Sequence, residues 1–70
     1  MFIHTVEWSE SRTIGDVPET FRVRAYGTKS GWVVFERLET DIWWTEVPTT
    51  EQHLERIRHL LERSGDSDSV

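Results

Sequence analysis

The side chains able to do chemistry in this sequence are three histidines, thirteen acidic and eight basic groups, six serines and eight aromatics. A metal site needs imidazole, thiolate or carboxylate groups converging on one ion, most simply two histidines a helical turn apart. His53 and His59 are six positions apart, roughly 240° round a helix axis, and His4 lies far from both in sequence. Cysteine is absent. No metal and no other cofactor is expected, and the histidines read as surface groups.

Nucleophilic catalysis has little more to work with. There is no Gly-x-Ser-x-Gly elbow, and the carboxylates are dispersed along the chain. A fold of this length leaves little room for a water-excluding pocket of ~300 Å³. The string Gly27-Thr28-Lys29-Ser30-Gly31 sets a lysine beside a serine. It lacks the phosphate-loop spacing and leads into a strand, so it reads as a turn. The chain is not expected to be an enzyme.

Two constellations remain. Arg22, Arg24, Tyr26 and Trp32 fall on one face of an expected hairpin, with Lys29 at its tip. Arginines beside aromatic rings can hold a nucleic-acid strand. In order of elements, a helix-backed sheet of this kind is similar to the plant-type AP2 domain and to the N-terminal domains of some integrases. The likeness is one of topology, and it implies contact through the sheet. Against it stand Glu36, Glu46 and a formal charge of −5, which disfavour a polyanion. The plainer reading pairs Arg22 with Glu36 across the hairpin. The second constellation is apolar: Tyr26, Trp32, Val34 and Trp43 form an aromatic patch suited to anchoring another protein.

Elements must place these groups. Phe2 to Trp8 alternate as a strand, and residues 9–20 read as a long loop pinned by Ile14 and Val17. Phe21, Val23 and Ala25 alternate with Arg22, Arg24 and Tyr26, the mark of a half-buried strand. Strands over 32–38 and 41–47 follow, the latter stopped by Pro48. Thr49 with Gln52, or Thr50, caps a helix. Leu54, Ile57, Leu60 and Leu61 form its apolar stripe, Arg63 lies in its last turn, and Gly65 ends it. The expected fold is α+β: a four-stranded, largely antiparallel sheet in ββββα order with one C-terminal helix on one face.

Parity then sets the surfaces, because neighbours along a strand point to opposite faces. Pairing Tyr26 with Trp32 puts Val23 opposite Phe35 and Arg22 opposite Glu36. It leaves Tyr26, Trp32 and Val34 on the face away from the helix. With a two-residue turn at Glu39-Thr40, Trp44 falls toward the helix beside Phe35 and Trp43 away from it; a three-residue turn would exchange the two.

The chain has 70 residues and mean hydropathy −0.56, enough for one domain over residues 1–65 with a disordered acidic tail over 66–70. Below about 70–80 residues a single core rarely supplies more than ~3–5 kcal/mol, and self-association is a common remedy. No run of ~20 apolar residues could span a membrane. The first residues lack the form of a secretory signal, so a cytoplasmic location is expected. The expected function is a non-enzymatic interaction module. Its partner is itself, as a homodimer through the aromatic sheet face or an edge strand, or an unidentified protein. Binding of nucleic acid through Arg22, Arg24, Lys29 and Trp32 is the alternative.

Overall fold

The computed structural model describes residues 4–68, with side chains described for residues 4–63. The elements are β1 (His4–Ile14), β2 (Val17–Thr28), β3 (Gly31–Leu38), β4 (Thr45–Val47) and α1 (Glu51–Asp68). All strand pairs are antiparallel, in the order β1-β2-β3-β4. The helix follows the sheet and packs on one face of it, which is the expected α+β architecture.

Residues 9–20 are not a loop. They complete β1 and open β2, paired without a break from His4↔Gly27 to Ile14↔Val17. The connection is Gly15-Asp16 alone, with φ of 54° and 67°. Two successive positive-φ residues make a type I′ turn, whose twist matches the strands it joins. The strand is hard to see in the sequence because both of its faces are polar here: Glu10 and Arg12 on one, Ser9, Ser11 and Thr13 on the other.

The β2–β3 register differs by one residue from the expected one. The turn is Lys29-Ser30, so Thr28 faces Gly31, Tyr26 faces Val33, Ala25 faces Val34 and Val23 faces Glu36. Thr28 Oγ1 holds this turn, donating to the Gly31 carbonyl at 2.8 Å and accepting from the Ser30 N–H at 3.2 Å. The shift turns β3 over. Trp32, Val34 and Glu36 face the helix, while Val33, Phe35 and Arg37 face away.

Two packing facts account for the register. Val34 becomes core, at 1% exposure. Gly27 comes to lie opposite Trp32, and a Cβ there would meet the indole at 3.1 Å. A Cβ at position 27 would crowd the ring. The proposed patch of Tyr26, Trp32, Val34 and Trp43 is therefore not one surface: Trp32 and Val34 belong to the helix face.

The stretch before β4 also differs. Trp43 and Trp44 precede the strand instead of forming its centre. Trp44 lies on the face away from the helix, beneath the guanidinium groups of Arg24 at 4.5 Å and Arg37 at 5.0 Å. Glu46, not Trp44, stands beside Phe35. Trp43 is 73% exposed.

The core is Trp8, Val23, Ala25 and Val34 from the sheet and Ile57 from α1, extended by Val6, Trp32, Val47, Leu60 and Leu61. Leu54, expected in the apolar stripe, is 41% exposed. Thr50 caps the helix, accepting from the His53 N–H at 3.3 Å. Thr49 instead donates to the Trp32 carbonyl at 3.0 Å, tying the helix entrance to β3. The helix passes Gly65 and runs to Asp68, which leaves no basic side chain in its last turn. Glycine costs a helix about 1 kcal/mol relative to alanine, a penalty that does not by itself end one. Residues 66–68 of the expected tail continue the helix backbone, and 69–70 lie outside the described residues.

Candidate functional site

Three surfaces carry the polar and aromatic side chains. The first is a recess of about 510 Å³ where the start of α1 meets the sheet, lined by Trp8, Glu10, Arg12, Glu36, Thr50, Gln52, His53 and Arg56. The recess is partly open to solvent. Glu36 stands at its centre with a side chain only 13% exposed. Arg12 reaches it from β1 as a two-pronged donor, with Nη1 at 3.0 Å and Nη2 at 2.6 Å. The same guanidinium donates through Nε to Glu10 at 2.7 Å, and Glu10 accepts from the Trp8 indole N–H at 2.8 Å. Arg12 also covers the Phe21 ring at 4.5 Å.

His53 joins this network from the helix. Its Nδ1 accepts the Thr50 backbone N–H at 3.1 Å. The ring proton is therefore assigned to Nε2, which donates to Glu36 at 3.3 Å. One imidazole thus closes the helix cap and pins the helix to β3. His53 is 11% exposed and not a surface group as expected.

The electrostatics follow from these contacts. The two-pronged bond from Arg12 holds the Glu36 carboxyl below the usual carboxylate range, against the opposing effect of burial, with a smaller contribution from His53. Burial pushes Glu10 upward, but the bonds from Trp8 and Arg12 outweigh it and leave the group lowered. Arg12 is raised, chiefly by its bond to Glu36. Among the described side chains no buried polar atom lacks a hydrogen-bond partner. The network of Trp8, Glu10, Arg12, Glu36 and His53 thus ties β1, β3 and the start of α1 together.

The second surface is the sheet face away from the helix. Glu7 accepts from both Arg22 and Arg24, which hold it below the usual carboxylate range. Arg22 donates to Ser9 at 2.9 Å, and Arg24 to Tyr26 at 3.3 Å. The Tyr26 and Phe35 rings meet edge-on at 5.7 Å. Arg37 faces Arg22 across the ladder and turns aside to the carbonyls of Leu38, Glu39 and Asp41. The expected Arg22–Glu36 pair does not form, since the two residues lie on opposite faces.

The structure therefore brings Arg22, Arg24 and Tyr26 together and separates them from Trp32. Lys29 is exposed at the β2–β3 turn. Trp43 is exposed with Ile42, which is 77% exposed, beside the end of β3.

The third surface is the outer edge of β1, the first strand in the sheet order. Among the described residues no strand pairs with that side. The edge is eleven residues long, contains neither proline nor lysine, and pairs with β2 without a bulge. Sequence reading missed it by ending the strand at Trp8. The available signal was Gly15-Asp16 between Ile14 and Val17, a two-residue turn between β-branched residues.

No known protein family, curated protein or solved structure matches this chain. No helix among the described residues is long and apolar enough to cross a membrane.

Proposed function

We propose that the chain is a small non-enzymatic interaction module that forms a homodimer by pairing strand to strand at the outer edge of β1. One observation carries this reading: a long, regular edge strand that has charged side chains at Glu7, Glu10 and Arg12 but no proline, lysine, bulge or shortening to blunt it. Unpaired N–H and C=O groups along an edge template the addition of another strand. Soluble proteins commonly prevent this with proline, lysine, bulges or short edges. β1 has none of these four. The small core, with five buried hydrophobic side chains among the described residues, adds a reason for a second copy to stabilise the fold.

The turn geometry shows which groups are available. A two-residue type I′ turn makes Ile14 and Val17 a hydrogen-bonded pair. Bonded and non-bonded pairs then alternate along an antiparallel ladder. Thr5, Glu7, Ser9, Ser11 and Thr13 therefore direct their backbone groups outward. Pro18 fits this phase, because it faces Thr13 at a position where β2 owes no N–H to β1.

The test follows from the same phase. Ser11→Pro removes an outward N–H and places a ring on the edge without taking a bond from the β1–β2 ladder. Sedimentation at two concentrations should show dimer for the parent chain and monomer for Ser11→Pro, with circular dichroism unchanged. A parent chain that stays monomeric at high concentration refutes the reading.

A further inference from the structure

The edge is self-complementary in one register. Resting on the edge-strand reading above, we infer that the two copies pair antiparallel about a two-fold axis through Ser11. An axis perpendicular to the sheet keeps each side chain on its own face, so residue i meets the partner residue that is equally far beyond the centre.

With Ser11 at the centre, Glu10 faces the partner's Arg12, and Arg12 faces the partner's Glu10. Trp8 faces the partner's Ile14, a side chain that is 55% exposed in the single chain. On the other face Ser11 meets the partner's Ser11, and Ser9 meets the partner's Thr13. Hydroxyl side chains thus meet hydroxyl side chains, opposite charges alternate, and an exposed isoleucine comes to lie beside the rim of the largely buried Trp8.

Neighbouring registers lose these matches. A centre at Glu10 sets that carboxylate against its own copy, and a centre at Arg12 opposes two guanidinium groups. Like charges directly opposite destabilise a ladder. A centre at Ser9 places Arg12 against the partner's Val6 and leaves Trp8 against a carboxylate.

The backbone phase agrees. Ser9, Ser11 and Thr13 are outward-bonding residues, so their three opposed pairs are hydrogen-bonded. The pairs of Glu10 with Arg12 and of Trp8 with Ile14 fall at the closer, non-bonded positions, where side chains interact best. The helix also leaves room. Its apolar side chains Ile57, Leu60 and Leu61 share a core with Val6 and Trp8 of β1, so in an antiparallel pair those contacts lie on opposite sides of the two-fold axis. Each recess beside Trp8, Glu10 and Arg12 then gains the partner's Ile14 and Arg12 at its rim.

The absence of cysteine makes a clean test possible. Residues opposed in a hydrogen-bonded pair have Cα atoms about 5.5 Å apart, within the range a disulfide bridges. Ser9, Ser11 and Thr13 are exposed, and their replacement leaves the core intact. On mild oxidation of the full chain, Ser11→Cys should shift from monomer to dimer mass. Ser9→Cys and Thr13→Cys should each stay monomeric on a denaturing gel, and an equal mixture of those two should give a mixed dimer. Self-linking of Ser9→Cys or Thr13→Cys, or no linking of Ser11→Cys while sedimentation still shows a dimer, overturns the register and leaves the edge reading standing. Loss of the dimer in the parent chain overturns both.

Discussion

Glu36 illustrates how a charged residue comes to lie under a helix. Its carboxylate is closed in by Arg12 and His53 from two other elements, so removing it leaves both donors facing a poorly solvated space. Glu36→Ala should cost about 1–3 kcal/mol in urea denaturation. The acid limb of stability has a definite sign. Glu36, Glu10 and Glu7 all have folded-state values below their ordinary ones. Their contribution is complete above the ordinary carboxylate range and is lost as pH falls through the lowered values. A pH series of urea midpoints should drop on the acid side, and Glu36→Gln should flatten that drop. A midpoint that rises toward acid would contradict the assignment. Trp43 has the opposite character. At 73% exposure, Trp43→Ser should change stability by less than about 0.5 kcal/mol while removing the fluorescence component most open to collisional quenchers.

At the scale of elements, the turns and their glycines decide the register. Gly15 supplies one of two positive φ angles in the β1–β2 turn, and Gly15→Ala should destabilise by about 1 kcal/mol. Gly27→Ala sets a methyl group 3.1 Å from the Trp32 ring, so the indole must yield by a few tenths of an ångström, and the emission of the folded state should change. Chemical denaturation read by tryptophan fluorescence checks both. The same turns mark where the sequence was legible. The strand and helix order, the alternation of Phe21 through Tyr26 and the Ile57–Leu60–Leu61 stripe were readable, because apolar periodicity reports directly on burial. The pairing of Val23 with Glu36 was not. It looks unfavourable until Arg12 is known to reach across, and Arg12 lay in a stretch whose two polar faces hid its strand. One misread strand therefore removed the partner of Glu36, shifted the β2–β3 register by a residue and carried Trp32 and Val34 to the wrong face.

At the scale of the whole molecule, the chain is elongated, 43 × 26 × 22 Å. β3 pairs with β2 only from Phe21 onward, so the hairpin beyond it stands two strands wide. Its outermost side chains, Ile14 and Val17, are 55% and 52% exposed. The Glu39 N–H to the Thr20 carbonyl, at 2.9 Å, ties the base of this projection to the rest. An isolated pair of strands is only marginally stable in water, so local opening is concentrated there. In dilute solution, amide deuterium uptake should be fast at the outward amides of β1 and along the projecting hairpin from Arg12 to Glu19, and slowest around Val23 and Val34. Raising the protein concentration should slow uptake selectively at Ser9, Ser11 and Thr13, whose amides the second copy would occupy. The least protected part of the monomer would then become, by mass action, a seam of the assembly, and its protection would record how many molecules are present.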